Sequence, residues 1–236
     1  MIRLCVLATA LVATGCGGGD GATLDVFAAS SLSEAFPALV GPRYTFAGSD
    51  TLATQIREGA EADVFAAASP KAAQALFGEG IVTSPRAFAS NRLVIVVPGA
   101  NEAGIRGLDD LGGNGVRVVI GDQGVPVGDY ARQALTAAGA DDVLENVVSL
   151  EDDVKGVVAK VALGEADAGF VYSTDAKAAA DELTVIELPA RLRPEIRYVV
   201  AVVAESDRRE AAEDFVERLL SVEGRRVLRE AGFGTP

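Results

Sequence analysis

The chain has 236 residues and a formal net charge of −13 at pH 7, with 49% hydrophobic and 23% charged residues. So acidic a composition excludes nucleic-acid or anionic-membrane binding through a basic face, while its apolar content suffices for a packed core. Histidine is absent and the two cysteines, Cys5 and Cys16, lie near the start. The body therefore lacks a Ser-His-Asp or Cys-His arrangement, a thiol nucleophile and a disulfide.

Residues 1–15 carry a positive start at Arg3 and an apolar run from Leu4 to Ala13. The run is shorter than the roughly 20 residues a membrane-spanning helix needs, so it reads as a signal peptide. Ala13-Thr14-Gly15-Cys16 resembles a bacterial lipoprotein signal, with cleavage before Cys16 and lipid attached to it. An ordinary secretory signal is the alternative. Residues 16–22, rich in glycine, then form a flexible tether.

From there strands and helices alternate, which predicts a parallel α/β sheet. Leu24 to Ala28 is a strand, and Ser31 with Glu34 fits a capping box opening a helix through Leu32, Phe36 and Leu39. A strand near Tyr44 to Phe46 runs into Gly48, whose backbone freedom suits a sharp turn, and Ser49 and Asp50 are preferred helix N-caps. Ala62 to Ala67 is a strand, and Ser69-Pro70 opens a helix. Arg92 to Val97 and Val116 to Ile120 are strands, and Val125-Pro126-Val127-Gly128 opens a helix with proline in its first turn. Further strands are expected at Val147 to Leu150, Ala168 to Tyr172, Thr184 to Leu188 and Tyr198 to Val203. Helices are expected from the acidic run Glu151 to Asp153, from Ser173-Thr174-Asp175, and over Arg209 to Arg229, ending at Gly232. Gly59 to Phe65 is echoed by Gly164 to Phe170, which favours two similar lobes over one long sheet.

Four strand-to-helix turns carry the candidate chemistry: Ser30-Ser31, Gly48-Ser49-Asp50, Val125 to Gly128, and Asp152 to Lys155, with the strand end at Tyr172 as a fifth point. Helix starts present unpaired N–H groups and a positive dipole end, which suit a small anion. In open α/β sheets ligands sit beyond the carboxyl ends of the strands, where these turns lie. Each feature alone has a plainer explanation: a serine capping its helix, a tyrosine in the core, or acids matched to a dipole. A Ca²⁺ site at Glu151 to Asp153 lacks an interleaved loop of oxygen ligands, so no metal is expected there.

Several blocks in order carry a family resemblance. They are Phe27 to Leu32, Phe46 to Ile56, Gly59 to Phe65, Asn91 to Val94, Val125 to Gly128 with Tyr130, Asp153-Val154, Gly169 to Tyr172 with Asp175-Ala176, Tyr198 to Val203, and Gly232-Phe233. Together they resemble the molybdate-binding proteins of bacterial ABC importers, over nearly everything from residue 24 onward. The resemblance implies an α/β fold of the type II periplasmic-binding-protein kind: two α/β lobes, a two-strand hinge and one oxyanion in the cleft. Lobe 1 would be residues 23–91 plus 201–236, and lobe 2 residues 92–200. By position, Ser31 and Ser49 would donate hydroxyl and backbone N–H groups. Val127 and Val154 would donate backbone N–H groups and Tyr172 its hydroxyl; Ser30 and Asp50 are secondary candidates. Val127 stands where the family often has alanine, which a main-chain donor tolerates. Asp50 would repel a dianion, so its side chain is expected to cap the helix instead.

The implied protein is a monomeric, non-enzymatic extracytoplasmic receptor, lipid-anchored on the outer face of the cell membrane or periplasmic. It would hand molybdate, and also tungstate, to an ABC permease; the oxyanion is cargo and no cofactor is implied. Three rivals remain: a receptor for another oxyanion or a small organic acid, an enzyme on the same fold, and a surface lipoprotein without a small ligand. The absence of arginine among the candidates argues against a carboxylate ligand.

Overall fold

The computed structural model describes residues 23–236, so the expected signal peptide, the Cys16 lipidation and the tether lie outside the described residues. Asp25–Ala29 (β1), Arg43–Ala47 (β2), Val64–Ala67 (β3), Arg86–Asn91 (β4) and Ile196–Val202 (β10) form one sheet in the order β2-β1-β3-β10-β4. Leu93–Pro98 (β5), Val118–Gly121 (β6), Val147–Glu151 (β7), Ala168–Tyr172 (β8) and Leu183–Glu187 (β9) form a second, ordered β7-β6-β8-β5-β9. In each sheet three strands run parallel and the fourth is antiparallel, β10 against β3 and β5 against β8. The expected wholly parallel sheets are thus corrected to mixed ones. The reason is that each lobe takes one strand from a chain crossing, which enters from the opposite direction. The two echoed segments lead into β3 and β8, the central strands of the two sheets.

The chain leaves the first lobe between β4 and β5, at Arg92, and returns between β9 and β10. The expected return at residue 201 is too late, because all of β10 pairs with β3 and β4. The crossing falls instead in the segment 188–195, where Pro189 and Pro194 cannot donate to a strand ladder.

Among the described residues seven α-helices cover the sheets: Ser49–Arg57 (α1), Pro70–Gly78 (α2), Pro126–Ala138 (α3), Val154–Ala162 (α4), Ser173–Ala178 (α5), Arg209–Leu220 (α6) and Val222–Ala231 (α7). The helical region expected over 209–229 is divided at Ser221, whose side chain accepts from the Gly224 N–H and caps α7. The helix expected after Ser31 is absent. Ser30–Leu32 and Phe36–Ala38 are two short 3₁₀ turns, because Pro37 supplies no N–H and disfavours helical angles at the residue before it. Lobe 2 is built around β6 and β8, buried throughout, and β5, buried up to Pro98, as strands covered on both faces should be.

Candidate functional site

Six strand ends meet where the lobes face each other. A small pocket is lined by Ser30 and Ser31 after β1, and by Gly48 and Ser49 after β2. Ala29, Ala47 and Ala68 at strand ends of the same lobe, Val125, Pro126 and Val127 at the start of α3, Asp153 and Val154 at the start of α4, and Tyr172 at the end of β8 complete it. The structure therefore brings Ser30, Ser31, Ser49, Val127, Val154 and Tyr172 together and leaves Asp50 outside the lining. Among the described residues, no lysine or arginine lines the pocket. A larger groove at the opposite end of β3 has both its arginines paired, Arg57 with Glu79 at 2.8 Å and Arg208 with Asp63 at 2.9 Å, and its other charges, Glu61, Glu205 and Asp207, are acidic.

The local chemistry explains why these atoms are available. Ser49, Val127 and Val154 are first-turn residues of α1, α3 and α4, whose N–H groups no preceding carbonyl of the helix can satisfy. Three helix N-termini thus converge, each carrying roughly half a positive charge. Ser49 was expected to cap α1; Gly48 occupies that position instead, which frees the hydroxyl. The Ser49 Oγ accepts the Ala68 N–H at 3.0 Å, so its own proton is left to donate elsewhere. Ser31 does not form the expected capping box. Its Oγ lies 2.8 Å from the Tyr198 hydroxyl, while Glu34 reaches across to Lys155 Nζ at 3.2 Å.

Tyr172 is 1% exposed and its hydroxyl has no hydrogen-bond partner among the described residues. Burial, with a smaller push from Tyr198, raises its pKa well above the usual phenol value, so it is a permanent donor at neutral pH. Asp153 lines the pocket but caps α4, accepting the Gly156 N–H at 2.9 Å. Asp50 is corrected in part. It is absent from the pocket lining, but with Gly48 as the N-cap it is the second residue of α1 rather than its cap, and its Oδ1 is buried without a hydrogen bond among the described residues. Burial is the main cause raising its pKa, opposed by the backbone N–H groups of Asp50 and Thr51.

The lobes are in contact around this pocket. Lys71 on α2 reaches Asp129 on α3 at 2.7 Å, and the Lys155–Glu34 pair closes the other side. Surface pairs of this kind are worth about 0–1 kcal/mol each, so they trim the closed state rather than drive it.

Behind Tyr172, Asp175 is 2% exposed, and its carboxylate makes no hydrogen bond, although Lys155 Nζ lies 3.4 Å from Oδ1. Burial raises its pKa to about 6, with Lys155 opposing. An acid with a raised native pKa stabilises the fold below its unfolded value, and that contribution is lost as pH rises through about 6. Asp175→Asn is therefore expected to melt like the parent near pH 4 and to exceed it by up to about 3 kcal/mol at pH 7.5. Thermal denaturation at the two pH values checks this; a variant less stable at both would show that Lys155 outweighs burial.

Two facing α/β sheets joined by two chain crossings, with a pocket of uncharged donors between them, define a two-lobed solute receptor of the periplasmic-binding-protein type. The chain belongs to the bacterial extracellular solute-binding protein family, whose pattern matches residues 24–234. It is accordingly a binding receptor of the extracytoplasmic space and not an enzyme. The molybdate-binding protein ModA of Mycobacterium tuberculosis is 36% identical over 222 residues, covering 89% of this chain and 84% of that protein. The protein of the same name from Escherichia coli is 33% identical over 231 residues, covering 91% and 90%. In fold, the periplasmic molybdate-binding protein of Azotobacter vinelandii superposes with a TM-score of 0.79 at 24% identity, covering 90% of this chain and 99% of that one.

Reasoning from the sequence did not find Asn91 or Tyr198 as parts of the site's surroundings, although both stand in blocks of the resemblance. A buried tyrosine hydroxyl in an apolar strand signals a partner, but not which one.

Proposed function

We propose that this receptor captures molybdate, and by the same donor set tungstate, in the pocket between its lobes and delivers it to an ABC permease. The observation that carries this reading is the composition of the pocket: uncharged donors from both lobes and no basic side chain. Ser31 and Ser49 would contribute hydroxyl and backbone N–H groups, Val127 and Val154 their N–H groups, and Tyr172 its hydroxyl. Ser30 borders the same space. A tetrahedral dianion offers only acceptors, so such a lining suits it, while a carboxylate ligand would call for an arginine. Spacing set for a large oxyanion leaves buried donors unpaired around a smaller one such as sulfate, which disfavours it. The molybdate-binding names of its relatives support the same choice.

Because the net charge of −13 repels anions at long range, capture depends on these short-range dipoles. Thermal shifts with molybdate, tungstate, sulfate, phosphate and citrate test the reading. Molybdate and tungstate should stabilise by about 4 kcal/mol at a thousandfold excess over Kd. An equal shift with sulfate removes the selectivity, and no shift with any anion removes the function. The proposal also includes a lipid on Cys16 and a monomer in solution. Membrane association that survives Cys16→Ala would contradict the anchor, and a dimer in light scattering would contradict the monomer.

A further inference from the structure

Tyr198 on β10 is fully buried, and its ring stands edge-on to Tyr172 at 5.9 Å and to Phe233 at 5.2 Å. Its hydroxyl touches two polar groups, Ser31 Oγ at 2.8 Å and Asn91 Nδ2 at 3.4 Å. Taken alone, the first contact could run in either direction, and the direction matters. If Ser31 donates to Tyr198, it presents a lone pair to the pocket and repels an oxyanion. If it accepts from Tyr198, its proton is free for the ligand.

Asn91 decides between them. Its Oδ1 accepts from the Arg92 backbone N–H at 2.8 Å, and a backbone N–H can only donate. The same oxygen accepts the Ser173 hydroxyl at 3.0 Å, and Nδ2 donates to Thr174 Oγ1 at 2.9 Å. The amide is thereby held in one orientation, with its NH₂ toward Tyr198. Tyr198 accepts there, and since Ser31 Oγ is its one other hydrogen-bond neighbour among the described residues, donation to Ser31 is the arrangement that leaves its buried proton paired. The chain of donation runs Asn91 to Tyr198 to Ser31 and into the pocket. It starts at the lobe crossing, and Asn91 also holds Ser173 and Thr174, the two residues that follow Tyr172.

We infer that Tyr198 is a positioning residue for oxyanion capture: oriented by Asn91, it donates to Ser31 and so turns the Ser31 hydroxyl proton toward the ligand. This rests on the reading of the pocket as an oxyanion site. It makes the donor role of Ser31 a property of the crossing strand rather than of the serine alone.

A double-mutant cycle on the full receptor tests it, with molybdate as the probe and Kd measured by calorimetry. Tyr198→Phe keeps the ring and removes only the hydroxyl, and it should raise Kd about tenfold. Ser31→Ala should raise it by at least as much, and the double variant should bind no worse than Ser31→Ala alone, because Tyr198 acts only through Ser31. Melting temperatures of the ligand-free variants separate this from a packing role, which would appear as additive losses of affinity that follow losses of stability. A Tyr198→Phe penalty of the same size in the Ser31→Ala background overturns the inference, as does no penalty in the parent. In both cases the parent still binds molybdate and the oxyanion reading stands. A parent protein that takes up no molybdate overturns that reading and this inference with it.

Discussion

Gly48→Ala is expected to leave the ligand-free receptor folded while weakening molybdate binding by about 10- to 100-fold. Gly48 has φ −57° and ψ 141°, angles open to any residue, so its expected role as a carrier of unusual backbone angles is not what the structure shows. Its importance is spatial. A Cβ placed there would be driven into the carbonyl oxygen of Asp152, a main-chain atom of the opposite lobe, and would also lie 2.9 Å from Asp50 Oδ1. The Asp50 side chain can rotate away, but the Asp152 carbonyl can move only if the lobes separate. The penalty therefore falls on the closed arrangement, with a typical overpacking cost of about 1–3 kcal/mol. Calorimetry with molybdate, beside small-angle scattering with and without it, reads both halves of the expectation. Unchanged affinity with a normal ligand-induced contraction would show that the lobes close by another approach.

Tyr172→Phe is expected to move stability and binding in opposite directions. The Tyr172 hydroxyl is buried with no hydrogen-bond partner, a condition that costs about 1–3 kcal/mol. Phenylalanine removes that cost and keeps the edge-on packing against Tyr130 and Tyr198. The ligand-free variant should melt higher, by about 2–4 °C for each kcal/mol in a chain of this size. In the proposed complex the same hydroxyl donates to the anion, and a hydrogen bond to a charged group is worth about 1.5–3 kcal/mol, so Kd should rise about 10- to 100-fold. Melting curves with and without molybdate would show the two effects crossing. A variant that melts lower and binds as well as the parent would place the hydroxyl in a structural role.

Much of the site was legible because it is written in local grammar. A β-prone run, a small residue and a serine, proline or acid before an apolar stripe mark the strand-to-helix turns at Ser49, Val127 and Val154. The repeated Gly-to-Phe segment pointed to two lobes. Chemistry acting over longer range was hidden. The helix expected after Ser31 failed because the pattern of Leu32, Phe36 and Leu39 outweighed Pro37 in that reading. Strand β4, Arg-Ala-Phe-Ala-Ser-Asn, has no β-branched residue and passed unnoticed, although it forms the edge of the first sheet. Antiparallel insertion of β5 and β10 depends on where the chain crosses between lobes, which no local window contains. The contact of Tyr198 with Ser31 spans 167 positions, and that with Asn91 spans 107. Gly48 was noticed for the wrong property, since the atom it must avoid belongs to the other lobe.

The account depends on main-chain amides and hydroxyls from two lobes surrounding a doubly negative guest without a counter-ion. Anomalous scattering at the molybdenum edge, from crystals grown with molybdate, tests this most directly. One peak is predicted between the lobes, within hydrogen-bond reach of the Ser31 and Ser49 hydroxyls, the Val127 and Val154 N–H groups and the Tyr172 hydroxyl. A peak held by lysine or arginine elsewhere on the surface, or no peak at all, would contradict it.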